Sequence, residues 1–213
     1  NPDPDPSSAP RHLFFDGQPQ LVGGLLPEEH TITKGSHPER SEAQSKGGPR
    51  INLLDAVRRV LDTELALNRR ALVFGEDVGV KGGVHGATMD LQSKFGCWRV
   101  FDTLLSEEGI MGSAVGMALA GLLPVPEIQF RKYADPATEQ INDCGTIRWR
   151  TAGKFAAPVV VRIPVGFGKK TGDPWHSVTG EAIYAHTLGW RLAFPSNAED
   201  AAGLLRTALR GNA

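Results

Sequence analysis

Acidic side chains occupy two places in this sequence where proton transfer is chemically favoured. Glu76 follows the apolar run 70–74, and Glu107 and Glu108 precede the uncharged stretch 109–126. Burial raises the pKa of a carboxyl group and the amino end of a helix lowers it, so a group subject to both can exchange a proton with a basic ring nitrogen. The same motifs also occur as plain structure, because Ser-Glu-Glu caps helices and Gly-Glu-Asp forms turns.

A second candidate set combines an amide, two aromatic rings and an imidazole. Gln129, Phe130 and Tyr133 follow another apolar run, and His176 lies in a Gly- and Pro-rich loop. A histidine can give and accept protons near neutral pH, and the aromatic rings could hold a cofactor. Each residue also has an ordinary interpretation, since the rings could be core or rim residues and the histidine could be solvated. The sequence contains no nucleophile-elbow, P-loop or zinc spacing.

These residues fall between elements that alternate regularly along the chain. Helices are predicted at about 53–68, 87–95, 107–121, 136–152, 180–188 and 198–210, and strands at 70–74, 98–102, 124–130, 158–163 and 190–194. Several strands are continuous apolar runs, a pattern typical of a parallel sheet covered on both faces. We therefore predict an α/β fold with a parallel sheet sandwiched by helices. Ligands in such folds bind beyond the carboxyl ends of the strands, where the candidate residues lie.

Composition excludes several classes of protein. The 213 residues carry a net charge of −1, without the basic surplus that nucleic acid or an anionic membrane surface requires. Two cysteines, Cys97 and Cys144, make no disulfide framework and are interpreted as packing residues, and the amino end resembles no signal peptide. A cytoplasmic location is predicted. The stretch 109–126 could span a membrane, but its two prolines and acidic flanks favour a fully buried helix entering a fully buried strand.

The first fifty residues differ from the rest of the chain. Eight of the 15 prolines fall within 1–49, with few apolar residues between them. Such a composition buries too little apolar surface to fold by itself. Residues 1–50 are therefore predicted to be a linker or extended arm, and 51–213 to be one domain. The chain ends directly after a predicted helix, which suggests a piece of a longer protein without its carboxyl-terminal domain.

Four segments occur in an order that resembles a known family. They are GEDVGVKGGVHGATMDLQSKFG, RVFDTLLSEEGIMGSAVGMALAGLLPVPEIQFRKYADPATEQI, PVVVRIPVGFGKKTGDPWHSVTGEA and PSNAEDAAGLLRTALRGN. Together they resemble the beta subunit of the thiamine-diphosphate-dependent 2-oxo acid dehydrogenase component, and within it the pyrimidine-binding domain shared with transketolase-like enzymes. The segment EIQF followed by a tyrosine is more similar to branched-chain and bacterial members than to animal pyruvate dehydrogenase.

The resemblance implies a role for each candidate residue. Glu107 matches the glutamate that pairs with the aminopyrimidine ring nitrogen of thiamine diphosphate, and His176 matches a catalytic histidine that assists acyl transfer to lipoyl-lysine. Phe130, Tyr133 and His176 match residues that contact the substrate. The full set implied to bind the cofactor comprises Glu76, Leu105, Ser106, Glu107, Gln129, Phe130 and Tyr133.

The resemblance also implies that this chain holds only half of an active site. The Gly-Asp-Gly motif with later paired asparagines, which holds the diphosphate through magnesium, is missing, since Gly172 and Asp173 are followed by Pro174. An alpha-type subunit or domain is therefore expected to hold the magnesium. The other expected partners are a second beta-type domain, in a heterotetramer, and a lipoyl acyltransferase core. The arm 1–50 suggests an alpha–beta fusion. Val178 stands where the family commonly has glutamine.

Two alternatives remain open from the sequence. One is a transketolase-like enzyme acting on sugar phosphates, for which Lys169 and Lys170 are the candidate phosphate ligands near the histidine. The other is a non-catalytic assembly module of the same fold. The presence of both Glu107 and His176 argues against the module. The sequence does not distinguish pyruvate from branched-chain 2-oxo acids as substrate.

Overall fold

The computed structural model describes residues 51–167 and 172–211. The predicted arm 1–50 and the two lysines at 169 and 170 lie outside these ranges. Within the described residues, the chain forms six α-helices and three strands: α1 Leu53–Leu67, β1 Ala71–Gly75, α2 Leu91–Phe95, β2 Val100–Asp102, α3 Glu107–Leu119, β3 Leu123–Glu127, α4 Thr138–Arg150, α5 Glu181–Ala185 and α6 Ala198–Arg210, with a 3₁₀ helix at Arg131–Ala134.

The three strands form a parallel sheet in the order β2-β1-β3. Val73 in the central strand lies opposite Val100 on one side and Val125 on the other. Every residue of β1 and β3 is buried, as the continuous apolar runs predicted. The predicted α/β class with a parallel sheet is therefore confirmed.

Side chains of β1 alternate between two cores. Ala71 and Val73 face a cluster that includes residues of α1, α2 and α6, whereas Leu72 and Phe74 face a cluster that includes residues of α3 and α4. Successive side chains of a strand point to opposite faces of the sheet, so a strand buried on both sides must be apolar at every position. Helices thus cover both faces of the sheet.

The predicted fourth strand is present as an extended segment with a reduced ladder. Residues 158–163 run parallel to β3, with Val160 N donating to Pro124 O at 3.1 Å and Arg162 N to Pro126 O at 2.9 Å. Only Glu127 and Arg162 form a bridge pair. Proline has no N–H to donate, so Pro124 and Pro126 accept from this segment but return no hydrogen bond. The sequence therefore predicted the position of this segment correctly, but it did not predict that the segment would form so few strand pairs with β3.

The predicted fifth strand, 190–194, is wrong. These residues have no sheet pairing within the described part of the chain. The indole Nε1–H of Trp190 donates instead to Ile141 O in α4 at 2.8 Å. Leu192 and Phe194 are exposed. Alternating apolar residues give a segment strand propensity, but a strand forms only where a neighbouring edge supplies hydrogen-bond partners.

Several helix boundaries differ from expectation, and α5 ends at Ala185 instead of about 188. Pro136 was predicted at the first position of α4, but the helix begins at Thr138 after a 3₁₀ turn. The predicted helix 87–95 forms only from Leu91, because the preceding residues are turns and Asp90 has φ of 65°. Local propensity places a helix more reliably than it places the first residue.

The uncharged stretch 109–126 divides into α3, a turn and β3, and no described helix is long and apolar enough to cross a membrane. The strand is buried as predicted, but the expectation of a fully buried helix is wrong. Ile110, Met111 and Ala114 pack on the sheet, while Gly112 and Gly116 are exposed on the other face. The helix is apolar all round, yet one sheet can cover only one of its faces.

Candidate active site

The predicted site residues reach one edge of the sheet because the strands are parallel. Glu76 directly follows β1, Gln129 and Phe130 follow β3, and Glu107 is the first residue of α3, which begins after β2. The carboxyl ends of neighbouring parallel strands lie side by side, so loops that are far apart in sequence meet there. The topology therefore explains why residues from three separate loops can share one site.

Three carboxyl groups interact at this edge. Burial raises the pKa of Glu76, and the negative charges of Glu107 and Asp77 raise it further, in that order. The side-chain amide of Gln129 lies 3.4 Å from Asp77 Oδ2 and 3.5 Å from Glu76 O. Like charges disfavour simultaneous ionisation, so a proton is held more readily at Glu76 than at an isolated carboxyl group.

The loop after β1 is folded tightly over this cluster. Asp77 adopts φ of 58°, its carbonyl accepts from Gly83 N at 2.6 Å, and its carboxylate pairs with Lys81 at 2.8 Å. The turn at 82–83 uses two glycines with φ of 81°, a conformation that costs other residues free energy. The two glycines of this motif are therefore explained by the positive φ angles that the turn requires.

Ser106 and Leu105 are placed differently from one another. Ser106 Oγ accepts from Gly109 N at 3.2 Å, so its hydroxyl caps α3 as the local pattern predicted. Leu105 points outward with 80% of its side chain exposed. The described residues leave this leucine without a packed environment, and its proposed contact with a cofactor remains a prediction.

Phe130, Tyr133 and His176 form an aromatic cluster that begins directly after Gln129, the residue that lies near Glu76 and Asp77. Tyr133 Oη lies 2.9 Å from His176 Nε2. The Phe130 ring meets the imidazole edge-to-face at a centroid distance of 4.8 Å, and meets the Tyr133 ring at 5.4 Å. The 3₁₀ helix Arg131–Ala134 turns Tyr133 towards the loop that carries His176. The structure therefore joins residues that are about forty positions apart in sequence.

Two residues of this cluster were not identified from the sequence. His85 meets the Phe130 ring edge-to-face at 5.8 Å, and Asp173 Oδ2 lies 2.7 Å from His176 Nδ1. His85 lies in the loop after β1, beyond the carboxyl end of a strand, where ligands bind in folds of this class. Asp173 precedes the histidine by three residues, a spacing at which a side chain can reach back across a turn. Both signals were present in the sequence.

A buried ion pair lies at the base of the same edge. Glu127, the last residue of β3, is 2% exposed and pairs with Arg162 Nη1 at 2.8 Å. A Cβ atom at Gly83 would lie 3.1 Å from Glu127 Oε1, so the tight turn packs directly on this carboxylate. The charged residue within the apolar run 123–128 was a signal that sequence reasoning missed.

Metal and thiol chemistry have little support in the described residues. No group of three or more His, Cys, Asp or Glu side chains there is arranged to hold a metal ion. Burial raises the pKa of Cys144 to about 11, as expected for a packing residue. The same interpretation of Cys97 is wrong, because that thiol is exposed.

The fold and this edge define a class of protein. The chain belongs to the family of the transketolase pyrimidine-binding domain, whose model matches residues 50–213. The resemblance inferred from the sequence motifs is thereby confirmed.

Individual relatives narrow the comparison to 2-oxo acid dehydrogenase beta subunits. The chain is 43% identical over 170 residues to the 2-oxoisovalerate dehydrogenase subunit beta of Pseudomonas aeruginosa, covering 79% of this chain and 48% of that protein. It is 44% identical over 160 residues to the 3-methyl-2-oxobutanoate dehydrogenase subunit beta of Mycobacterium tuberculosis, covering 75% and 46%.

A third relative carries a different substrate name. The Bacillus subtilis pyruvate dehydrogenase E1 component subunit beta is 41% identical over 163 residues, covering 76% of this chain and 50% of that protein. The chain therefore spans about half the length of the curated relatives it matches.

Proposed function

We propose that this chain is the pyrimidine-binding half of the active site of a thiamine-diphosphate-dependent 2-oxo acid dehydrogenase. The observation that carries the proposal is one edge of the sheet at which Glu76 interacts with Glu107 and, through Gln129, neighbours the segment that carries the cluster Phe130, Tyr133 and His176. Proton-exchanging acids and a proton-shuttling imidazole at one edge are the groups that this chemistry needs. Family membership supports the same assignment.

The donor set suits the aminopyrimidine of the cofactor. That ring presents a basic nitrogen, which a carboxyl group at Glu107 can protonate, and Glu76 lies near enough to influence that proton. Leu105, Ser106 and Gln129 complete the proposed surface for the ring. Thiamine diphosphate supplies an electron sink for the decarboxylation of a 2-oxo acid. The protein's task is to orient the ring and to place the Glu107 carboxyl group against its basic nitrogen.

The aromatic cluster is proposed to serve the second half of the reaction. Thiamine diphosphate would hold the electron pair left by decarboxylation, and on transfer to lipoyl-lysine this pair would break the lipoyl S–S bond while the acyl carbon leaves the cofactor and its hydroxyl proton is released. One sulfur then bonds to the acyl carbon and the other takes up a proton. His176 would take up the hydroxyl proton released from the reacting carbon at Nε2 and give a proton from the same nitrogen to the second sulfur, while Phe130 and Tyr133 contact the substrate.

The remaining parts of the site are proposed to come from partners. An alpha-type subunit or domain would hold the diphosphate through magnesium, and a lipoyl acyltransferase core would receive the acyl group. The exposed face of α3 and the exposed Leu104 and Leu105 are surfaces that an alpha-type partner and a second beta-type domain could cover. The names of these relatives favour a branched-chain 2-oxo acid or pyruvate as substrate, and their organisms are bacteria. A cytoplasmic setting is part of the same proposal.

The assignment of Glu107 is tested in the full-length protein assembled with its alpha-type partner. Glu107→Gln should lower decarboxylation, followed with an artificial electron acceptor, by about 100-fold or more, because an amide cannot supply the proton. Glu108→Gln is the matched control, since this exposed residue is next along α3, and should keep most of the activity.

Calorimetry with thiamine diphosphate and magnesium separates catalysis from binding. Retained cofactor binding with lost turnover supports the role of Glu107. Near wild-type turnover of Glu107→Gln with cofactor bound contradicts it. A wild-type assembly that decarboxylates neither pyruvate nor branched-chain 2-oxo acids overturns the proposed function itself.

A further inference from the structure

Asp173 holds both the backbone and the side chain of His176. Asp173 Oδ1 accepts from the backbone N–H groups of Trp175 at 2.8 Å and His176 at 3.0 Å. Its other oxygen, Oδ2, lies 2.7 Å from His176 Nδ1. One carboxylate therefore fixes the turn that carries the histidine and one nitrogen of the imidazole ring.

The Asp173 carboxylate determines which nitrogen of the His176 ring carries a proton. The hydrogen bonds from the His176 side chain and backbone lower the pKa of Asp173, so this carboxyl group is ionised at neutral pH and can only accept. The imidazole nitrogen facing it, Nδ1, must therefore carry a proton. In the neutral ring Nε2 is then the acceptor, and it faces the Tyr133 hydroxyl at 2.9 Å.

We propose that Asp173 is a positioning residue that holds the proton on His176 Nδ1 and so assigns proton exchange during acyl transfer to Nε2. This inference rests on the proposed function. Nε2 faces the hydroxyl group of Tyr133, a residue expected to contact the substrate, whereas Nδ1 faces Asp173. With the opposite tautomer, Nε2 would already carry the proton in the neutral ring and could not accept one from the Tyr133 hydroxyl.

A purely local role for Asp173 is the competing explanation. An aspartate that accepts from backbone N–H groups two and three residues later is a common turn device, and asparagine serves equally well there. The two explanations therefore differ in what Asp173→Asn does. Asparagine keeps an oxygen for the backbone, but it places an NH₂ group, which cannot accept, opposite Nδ1.

The test measures acylation of the lipoyl domain by the full-length assembled enzyme, with Asp173→Asn, Asp173→Ala and His176→Ala compared. Asp173→Asn should lower kcat for acylation by about tenfold or more, with little change in KM for the lipoyl domain, and should be no better than Asp173→Ala. Decarboxylation measured with an artificial acceptor should fall less than acylation in all three variants. An Asp173→Asn enzyme with wild-type acylation assigns Asp173 to the turn and overturns the proposal.

Neutron diffraction from crystals of the full-length wild-type protein supplies a readout that does not depend on activity. In crystals at about pH 8, deuterium should be found on His176 Nδ1, the nitrogen that faces the Asp173 carboxylate, whether or not Nε2 also carries one. Deuterium on Nε2 alone overturns the positioning role. If the tautomer is as expected but the wild-type enzyme decarboxylates no 2-oxo acid, the proposed function fails while the Asp173–His176 arrangement stands.

Discussion

Glu76 is a site residue whose pKa is raised by its surroundings. Its environment favours the protonated form, because burial penalises the charge and the carboxylates of Glu107 and Asp77 repel it. Structural stability alone does not explain such a group, since an ionised carboxyl group beside two others destabilises the folded state. Groups of this kind cluster at functional sites, where a poised proton is useful. The placement of Glu76 thus agrees with a role near a basic ring.

This environment predicts how stability depends on pH. The folded state binds the Glu76 proton more tightly than the unfolded chain, so the folding free energy that Glu76 contributes is lost as pH rises above the ordinary value near 4.5. In the cofactor-free protein, Glu76→Gln should therefore be more stable than wild type at about pH 7, and the difference should shrink towards about pH 4. Urea unfolding at both pH values measures it.

A second variant checks the cause of this effect. Because part of the raised pKa comes from the charge of Glu107, the pH-dependent gain from Glu76→Gln should be smaller in a Glu107→Gln background. A gain that is the same at both pH values would show that Glu76→Gln acts through packing and not through ionisation.

Among the elements, α4 closely approaches a non-helical segment. Gly145 in the middle of α4 faces the turn 188–190, where a Cβ atom would meet the carbonyl oxygen of Leu188 and lie 2.8 Å from ring atoms of Trp190. The hydrogen bond from Trp190 to Ile141 O fastens the same contact. Glycine weakens a helix interior, so its presence here has a packing reason.

A matched pair of glycine substitutions tests this packing. Gly203 is also inside a helix, α6, but a Cβ there meets nothing within 4 Å. Gly203→Ala should stabilise the protein by about 0.5–1 kcal/mol through helix propensity. Gly145→Ala gains the same propensity but overpacks the contact, so it should destabilise by about 1–3 kcal/mol. Thermal unfolding measures both changes, and equal stabilisation by the two variants would show that the turn 188–190 yields freely.

At the scale of the whole molecule, the first and last described helices pack side by side. Glu64 in α1 has 4% of its side chain exposed and accepts from Arg210 in α6 through both Nε and Nη2, at distances of 2.7–3.2 Å. Arg206 lies farther away, at 3.7 Å. A buried carboxylate needs such a partner, because an unpaired charge in the interior is costly.

Two arginine substitutions separate the buried pair from its exposed neighbour. Arg210→Ala leaves Glu64 without its bidentate partner and should lower the unfolding free energy by about 2 kcal/mol. Arg206→Ala removes a longer and more exposed interaction and should cost less than about 1 kcal/mol. Denaturant titration of both variants measures the two losses of unfolding free energy. A larger loss for Arg206→Ala would contradict the conclusion that Arg210 is the main partner of Glu64 between α1 and α6.

The sequence by itself determined the class of the fold, the order of most elements and the family. Apolar runs with prolines and capping residues at their ends are local signals, and β1, β3, α1, α3 and α6 follow them. Glu76, Glu107, Gln129, Phe130, Tyr133 and His176 were named from the motifs that carry the resemblance, although their roles remain predictions.

Only the tertiary structure decided which of these residues meet and which segments pair. The edge of the sheet that joins Tyr133 to His176, and the turn that brings Asp173 to the imidazole, are set by packing between segments distant in sequence. The failed strand 190–194 shows the same limit. Propensity is a property of a few neighbouring residues, whereas a strand or a site exists only when another part of the chain supplies the opposite half of each hydrogen bond.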